Sequence, residues 1–517
     1  MKIIGNVIGE TTHSRVVFTS LEPPRVGEYV LVSYRNGEIE DLALAMVEVS
    51  KIGNPLLSVP HIKPDYVAKA SALGADMVEY NIGVARILSW VDSLIERGVV
   101  ETPKYPPKPG TPVYKAESKI LEEIFSRNGD GWVRIGVLVN HPEVKVSIDV
   151  NAIISRHLAI LAVTGAGKSN TVGVLVDRIV NELNGTIVLF DMHNEYGEIA
   201  GENTNIVEPK IHPSKIRLGE LFKLLNLDEK AHKQRMYLRR AFNEVKKKGI
   251  DSKEPEKFLE EIAGTLMGFL NSSEGSSIVS RDKASVLDVI SKLEDFREEY
   301  EGRVITVDAP PDITDAIKPG KANIFRLGGV SEEVADVIVY HYLSWLLEER
   351  KRYMSTGKGY PVPVLGIIEE AHILLPADRA TMAKSIASKI AREGRKFGIG
   401  LCLVSQRPKK LDEDSLSQTN NKIILRLIEP GDQSYVQQAS EALSDELLEL
   451  LPSLNVGEAV VLGMMTPLPA IVKIDRASRK IGGGDIKAHF EWKKYAGAAE
   501  SASKEASRYI IVPVTFD

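Results

Sequence analysis

The amino-acid sequence predicts an α/β protein: a mostly parallel sheet carrying a phosphate-binding loop, preceded by a β-rich unit and interrupted by a helical stretch. Three observations predict it. Short β-type runs broken by turn signals fill residues 1–145. From about Val146 strands and helices alternate, as they do where parallel strands are joined by crossovers. The run LAVTGAGKSNT, Leu161 to Thr171, lies between an apolar strand and a helical repeat.

Within residues 1–145, RVVFTSLEPPRVGEYVLVSY, LALAMVEVSKIGN and VRIGVLVN carry the pattern of a small barrel or sandwich. VARILSWVDSLIERG reads as a helical piece inside it, and the proline-rich TPKYPPKPGTPV as an extended crossing segment. Residues 146–212 begin the parallel sheet, and 213–353 are mostly helical, with EEVADVIVYHYLSWLLEERKRY bearing an apolar stripe at helical spacing. The sheet resumes over 354–474. Residues 475–517 form a C-terminal extension with a Ser/Ala/Lys/Glu-rich end.

The 517 residues are 43% hydrophobic and 26% charged, enough for two or three cores at roughly 150 residues per domain. With a net charge of −6 and a pI of 6.0, no global positive excess marks a nucleic-acid or anionic-membrane binder. Any DNA contact must be local. The single cysteine, Cys402, excludes an intramolecular disulfide framework and a cysteine-rich zinc site. MKIIGNVIGETTHSR lacks a signal-type apolar run, and no stretch of roughly 18 apolar residues occurs, so a cytoplasmic protein without a membrane span is expected.

The loop fits an ATP site except at its first position, where Ala162 stands for the usual glycine; a small residue suffices there. Gly165 and Gly167 let the backbone curl with its N–H groups inward. The cradle runs Gly165, Ala166, Gly167, Lys168, Ser169, Asn170, and the helix that starts there adds partial positive charge. Lys168 reaches the β- and γ-phosphates and the Ser169 hydroxyl ligates Mg²⁺. Val172, Leu175, Val176, Ile179, Val180 and Leu183 share one helical face, Asn184-Gly185 ends it, and TIVLFD completes a βαβ unit.

Hydrolysis also needs a metal-holding carboxylate and a group that orients water. VLGIIEEAHILL ends an apolar strand in two acids, whose side chains alternate in direction: Glu369 is assigned to Mg²⁺ and Glu370 to the attacking water. A helix follows, RATMAKSIASKIAREGRKFG, with Arg392, Arg395 and Lys396 in its last turn. These cations either complement the helix dipole or reach a neighbouring subunit's ATP. Gln406, just past the strand IGLCLVSQRP, stands where an amide senses the γ-phosphate, and Arg426 is a second cation at a strand end; a polar strand end and a surface arginine are the plainer alternatives.

In this order RHLAILAVTGAGKSNT, LFDMHNEYGEI, LGIIEEAHILLP, AREGRKFGIGLCLVSQRP and TNNKIILRL resemble the HerA–FtsK superfamily of ring-forming ATPases, and specifically its archaeal HerA branch. The likeness spans nearly the whole chain, and EGRKFGIGLCLVSQRP is its most discriminating piece. The resemblance implies a RecA-like P-loop ATPase core behind a HAS-barrel, assembled as a homohexamer. It implies a ring that pumps double-stranded DNA with ATP, partnered by the nuclease NurA in resecting DNA ends for recombinational repair. Carried over by position, Lys168, Ser169, Glu369, Glu370 and Gln406 keep the roles above. Arg395 becomes the trans-acting finger, with Arg392 and Arg426 as alternatives, and Arg156 matches a family arginine near the nucleotide. Asp191, His193 and Glu195 match a conspicuous family segment, either as functional groups or as structural acceptors.

FtsK-type translocases carry Asp-Glu where this chain has Glu369-Glu370, a longer first acid that would hold the metal through water. Their membrane-spanning segments have no counterpart. A protein unfoldase-type ring ATPase and a conjugation-type DNA pump are the competing functions; a kinase lacks an evident acceptor pocket, and a GTPase lacks an Asn-Lys-x-Asp motif. For DNA, KAHKQRMYLRRAFNEVKKK is either a solvated helix face or a contact surface. Lys409 and Lys410, directly after the Gln-Arg-Pro turn, are better placed to couple nucleotide state to a pore loop.

Overall fold

The computed structural model describes residues 1–36, 39–57, 78–271, 276–300, 302–440 and 442–479, with isolated positions elsewhere. Most of the extension expected over 475–517 therefore lies outside the described residues.

Strands β1 (Ile3–Val7), β2 (Arg15–Ser20), β3 (Tyr29–Asn36), β4 (Ile39–Gly53), β5 (Tyr80–Trp90) and β6 (Pro112–Lys115) close into an antiparallel barrel in the order β1-β2-β5-β4-β3-β6. Alternating small and β-branched residues fill it: Val30 and Val32, then Ala43, Ala45 and Val47, around Phe18. Closure decides between barrel and sandwich, because β1 pairs with both β2 and β6 and leaves no free edge. The helix expected over VARILSWVDSLIERG is confined to Val91–Glu96. Its first half continues β5, held by β2 on one side and β4 on the other, and this long-range pairing overrides the local periodicity.

The second sheet has 11 strands in the order β11-β12-β10-β13-β14-β9-β15-β16-β17-β7-β8. These are β7 (Trp132–Leu138), β8 (Lys145–Asp149), β9 (Leu158–Leu161), β10 (Thr186–Asp191), β11 (Thr204–Val207), β12 (Ala322–Arg326), β13 (Val364–Ile368), β14 (Ile399–Ser405), β15 (Asn421–Ile424), β16 (Glu458–Leu462) and β17 (Ala470–Ile474). From β11 to β15 the neighbours run parallel; β16, β17, β7 and β8 extend the sheet antiparallel. The run VRIGVLVN, grouped by sequence with the N-terminal β-rich unit, thus pairs with β17 in this sheet.

Helices α1 (Val150–Arg156) and α2 (Lys168–Leu183) flank β9. Helices α3 (His232–Lys248), α4 (Phe258–Asn271) and α5 (Ser276–Tyr300) pack on one another away from the sheet. The largely helical stretch 213–353 also returns β12 to the sheet, followed by α6 (Glu332–Thr356), which Ser331 caps at its start and Gly357, at φ 71°, ends. Helix α7 (Ala371–Leu374) follows β13, and α8 (Met382–Glu393) leads to β14. Thr381 caps α8 through Lys384 N at 3.1 Å, and the buried Asp336 of α6 accepts the Met382 and Ala383 N–H groups at 3.1 and 2.7 Å, so α6 adds a second acceptor to the start of α8. No helix among the described residues is long and apolar enough to cross a membrane.

Candidate nucleotide-hydrolysis site

The phosphate loop leaves the C-terminal end of β9. Gly165 and Gly167 take φ of 77° and 108°, conformations open to glycine, and Gly167 starts α2. Among the described residues no acceptor takes the N–H groups of Gly167, Lys168 or Ser169, which leaves them available to an anion at the helix N-terminus. Ala162 is fully buried and still in strand pairing, its N–H donating to Ser405 O at 3.2 Å. Its φ is not positive, so glycine is not required there. Two cradle residues are engaged elsewhere. The Ala166 N–H turns to Val163 O, and the Asn170 amide holds Asp475 O and Ala477 N at 2.8 and 2.9 Å, tying α2 to the chain beyond β17.

Strand order brings the rest together. β14 lies between β9 and β13, so Gln406, just past its end, falls between the phosphate loop and the acid pair. Its Oε1 accepts the Thr164 hydroxyl at 2.6 Å. Regular alternation would send Glu369 and Glu370 to opposite faces of the sheet. Instead Glu370 adopts a left-handed φ of 45° and ψ of 45° as the N-cap of α7, at a cost of about 1–2 kcal/mol for a non-glycine residue. Both carboxylates therefore stay near Lys168. Glu370 forms an ion pair with it, and both side chains are largely buried. Glu369 accepts the Tyr196 hydroxyl at 2.8 Å.

Burial, with the Asp191 and Glu195 carboxylates adding to it, pushes Glu369 up to about 8 against the opposing pull of Lys168 and Tyr196. One oxygen of Glu369 and one of Glu370 are buried without a hydrogen-bond partner. Such a cost persists where something else completes the site. The oxygens of Ser169, Glu195 and Glu369 suit a hard divalent cation. Among the described residues no group of three His, Cys, Asp or Glu is arranged to hold a metal ion by itself; at a nucleotide site phosphates and water supply most of the coordination of Mg²⁺. These residues would fit a Mg²⁺–nucleotide.

His372 and Tyr196 border these groups, and no motif in the sequence marks either as part of the site. His372 Nδ1 lies 3.3 Å from both Ser405 Oγ and Glu370 Oε2, linking the acid pair to the strand that carries Gln406. Burial holds its pKa below the ordinary value. Tyr196 sits five residues past Asp191, in the segment already singled out, and its aromatic ring gave no local sign of a polar task. Asp191 is a structural acceptor: its two oxygens take His193 N and Tyr196 N at 3.2 and 3.0 Å.

The arginines divide between the sheet's two edges. Arg426 follows β15 beside the phosphate loop, where its carbonyl accepts Val163 N at 3.0 Å; its Nε is buried without a partner. Arg156, Arg392 and Arg395 lie at the opposite edge, before the N-terminal ends of β9 and β14. Arg392 and Arg395 are exposed. The structure therefore does not bring Arg156 or Arg395 to this chain's own phosphate loop. His157 ties that edge together: Nε2 donates to Ala391 O at 3.1 Å, Nδ1 accepts Leu401 N at 3.0 Å, and the residue holds a strained φ of 60° and ψ of 167°.

The basic stretch read as a solvated face or contact surface is α3 with its short lead-in. Tyr237 and Phe242 are buried in the helical unit. Lys233, Lys246 and Lys248 pair with Asp282, Asp251 and Glu244.

A phosphate loop on one parallel strand, an acid pair two strands away and a polar amide on the strand between them define the class: this is a P-loop ATPase. A family model described as "Helicase HerA, central domain" matches residues 133–346. The DNA double-strand break repair helicase HerA of Sulfurisphaera tokodaii is 40% identical over 497 residues, covering 95% of this chain and 97% of that protein. The protein of the same name from Pyrococcus furiosus is 34% identical over 555 residues, covering 95% and 97%. A probable helicase of Methanocaldococcus jannaschii is 39% identical over 503 residues, covering 95% and 94%. The chain belongs to the HerA helicase family.

Proposed function

We propose that this chain is a Mg²⁺-dependent ATPase that drives double-stranded DNA through a homohexameric ring, acting with the nuclease NurA in resecting broken DNA ends in the cytoplasm. Family membership supports the DNA substrate, since two of the relatives above are named as double-strand break repair helicases. The ring and the nuclease follow from the resemblance to ring-forming ATPases.

One structural observation carries the coupling of hydrolysis to DNA. Residues 405–411 form a short braced segment with Gln406 at one end and the exposed Lys409 and Lys410 toward the other. The segment is held at several points: Ser405 Oγ accepts Arg407 N at 3.1 Å, Asp432 accepts Lys409 N at 3.0 Å, and the Tyr435 hydroxyl donates to Leu411 O at 2.6 Å. A change at the γ-phosphate end is thereby transmitted to two cations suited to DNA phosphates. Repeated around a ring, such pairs make a basic channel in an acidic protein.

At the hydrolytic centre Lys168 leaves Glu370 for the β- and γ-phosphates. This frees Glu370 to orient water and accept its proton, while Ser169 and Glu369 would hold the metal, which would supply charge neutralisation at the phosphates. The topology supports Arg395 acting on a neighbour's nucleotide, with Arg156 beside it at the same edge and Arg426 in cis.

The test is steady-state ATPase activity with no polymer, with linear double-stranded DNA and with unfolded polypeptide, the DNA series repeated across salt. Salt-sensitive stimulation by duplex DNA is expected. Stimulation by polypeptide alone would overturn the reading in favour of an unfoldase.

A further inference from the structure

We infer that Glu195 and Tyr196, adjacent residues of the loop after β10, are positioning residues that aim the two metal-facing groups, Ser169 and Glu369. The inference rests on the reading of Ser169 and Glu369 as the Mg²⁺ site. It assigns the loop a role that the phosphate loop and the acid pair do not supply for themselves.

The Ser169 hydroxyl donates to Glu195 Oε2 at 3.1 Å. A hydroxyl whose hydrogen is committed to a carboxylate has its lone pairs left for a cation, so Glu195 sets the rotamer in which Ser169 works. The Tyr196 hydroxyl donates to Glu369 Oε1 at 2.8 Å, while Glu369 Oε2 is buried with no partner. One oxygen is thus anchored and the other left for the metal shell. Tyr196 is fully buried and cannot swing away.

The loop is braced from three directions, as a positioning element must be. Asp191 binds its backbone from within at His193 N and Tyr196 N. Asn194, at φ 57°, clamps it to the turn after β12, exchanging hydrogen bonds with Gly328 O and N at 2.9 and 3.2 Å. From the chain beyond β17, Gly482 N donates to Glu195 O at 2.7 Å. A Cβ at Gly482 would lie 3.1 Å from the Glu195 backbone, a tight contact that would press on the loop.

The test is binding of a fluorescent ATP analogue to the full chain, titrated with Mg²⁺ and repeated in EDTA. Tyr196→Phe and Glu195→Ala are each expected to raise the half-saturating Mg²⁺ concentration by about 10- to 100-fold, with binding in EDTA unchanged. Glu195→Gln, whose amide oxygen still accepts a hydrogen bond, is expected to restore most of the wild-type response. An unchanged half-saturation in both Tyr196→Phe and Glu195→Ala would overturn the inference. So would equal losses with and without Mg²⁺, which mark a folding defect, or failure of Glu195→Gln to rescue, which marks a charge effect. Ser169→Ala separates the two levels: if it leaves Mg²⁺ dependence intact, the metal-site reading itself falls and takes the inference with it.

Discussion

Replacing Arg395 by alanine tests whether this ATPase completes its site across a subunit boundary. The seven residues of β14 separate Arg395 from the sheet edge that holds the phosphate loop, a span of about 20 Å at roughly 3.3 Å per residue. That is far beyond the reach of an arginine side chain, so within one chain the guanidinium cannot stabilise its own γ-phosphate. If it serves a neighbour, Arg395→Ala should lower the maximal hydrolysis rate by about 10³- to 10⁵-fold and leave nucleotide binding nearly intact, because the cradle is untouched. Lys168→Ala subunits should be inactive through lost phosphate binding, yet they keep Arg395. Random assembly of the two variants in equal amounts pairs an intact Lys168 with an intact Arg395 at about one interface in four. The mixture should then recover up to about a quarter of wild-type ATPase activity if interfaces act independently, although each variant alone is inactive. Ring formation is checked by light scattering in parallel. No recovery at any ratio, with rings intact and mixed, would refute the trans assignment; full activity of Arg395→Ala alone would refute any role.

Glu370→Gln should still bind ATP but hydrolyse it about 10²- to 10⁴-fold more slowly, the usual worth of a positioned general base; normal turnover would place that role elsewhere. Asp336→Ala strips the buried acceptor from Met382 N and Ala383 N, and urea denaturation should show a loss of about 2 kcal/mol. A change within experimental error would mean that α8 starts without it. Burial holds the His157 pKa below its ordinary 6.5, so below that pH the unfolded chain takes up a proton that the folded chain resists. The stability contributed by neutral His157 is fully present above pH 6.5 and is lost as pH falls toward the lowered folded value. His157→Asn, which cannot take up that proton and tolerates positive φ better, should flatten the decline between pH 7 and 5, as read by urea midpoints; an unchanged slope would contradict the assignment.

The chemical groups of the candidate site were legible in the sequence because each motif is local. Glycines at 165 and 167, an apolar strand ending in Glu369-Glu370, and Gln406 past another strand are demanded by backbone and chemistry within a few residues of themselves. A closed barrel was one of two readings of the N-terminal runs, and only the pairing of β1 with β6 chose it. The strand assignment of Val84–Trp90, the membership of β7 in the larger sheet and the place of β14 between β9 and β13 all depend on hydrogen bonds between segments far apart in sequence. For the same reason neither the turn of Glu370 into the left-handed region nor the hold of Tyr196 on Glu369 could be read locally. The sequence by itself determined which chemical groups this protein owns. The tertiary structure alone decided which of them meet, placing Gln406 against Thr164 of the phosphate loop, Glu370 beside Lys168 and Arg395 at the opposite edge, because adjacency in a sheet is set by strand pairing that leaves no mark on the residues flanking each strand.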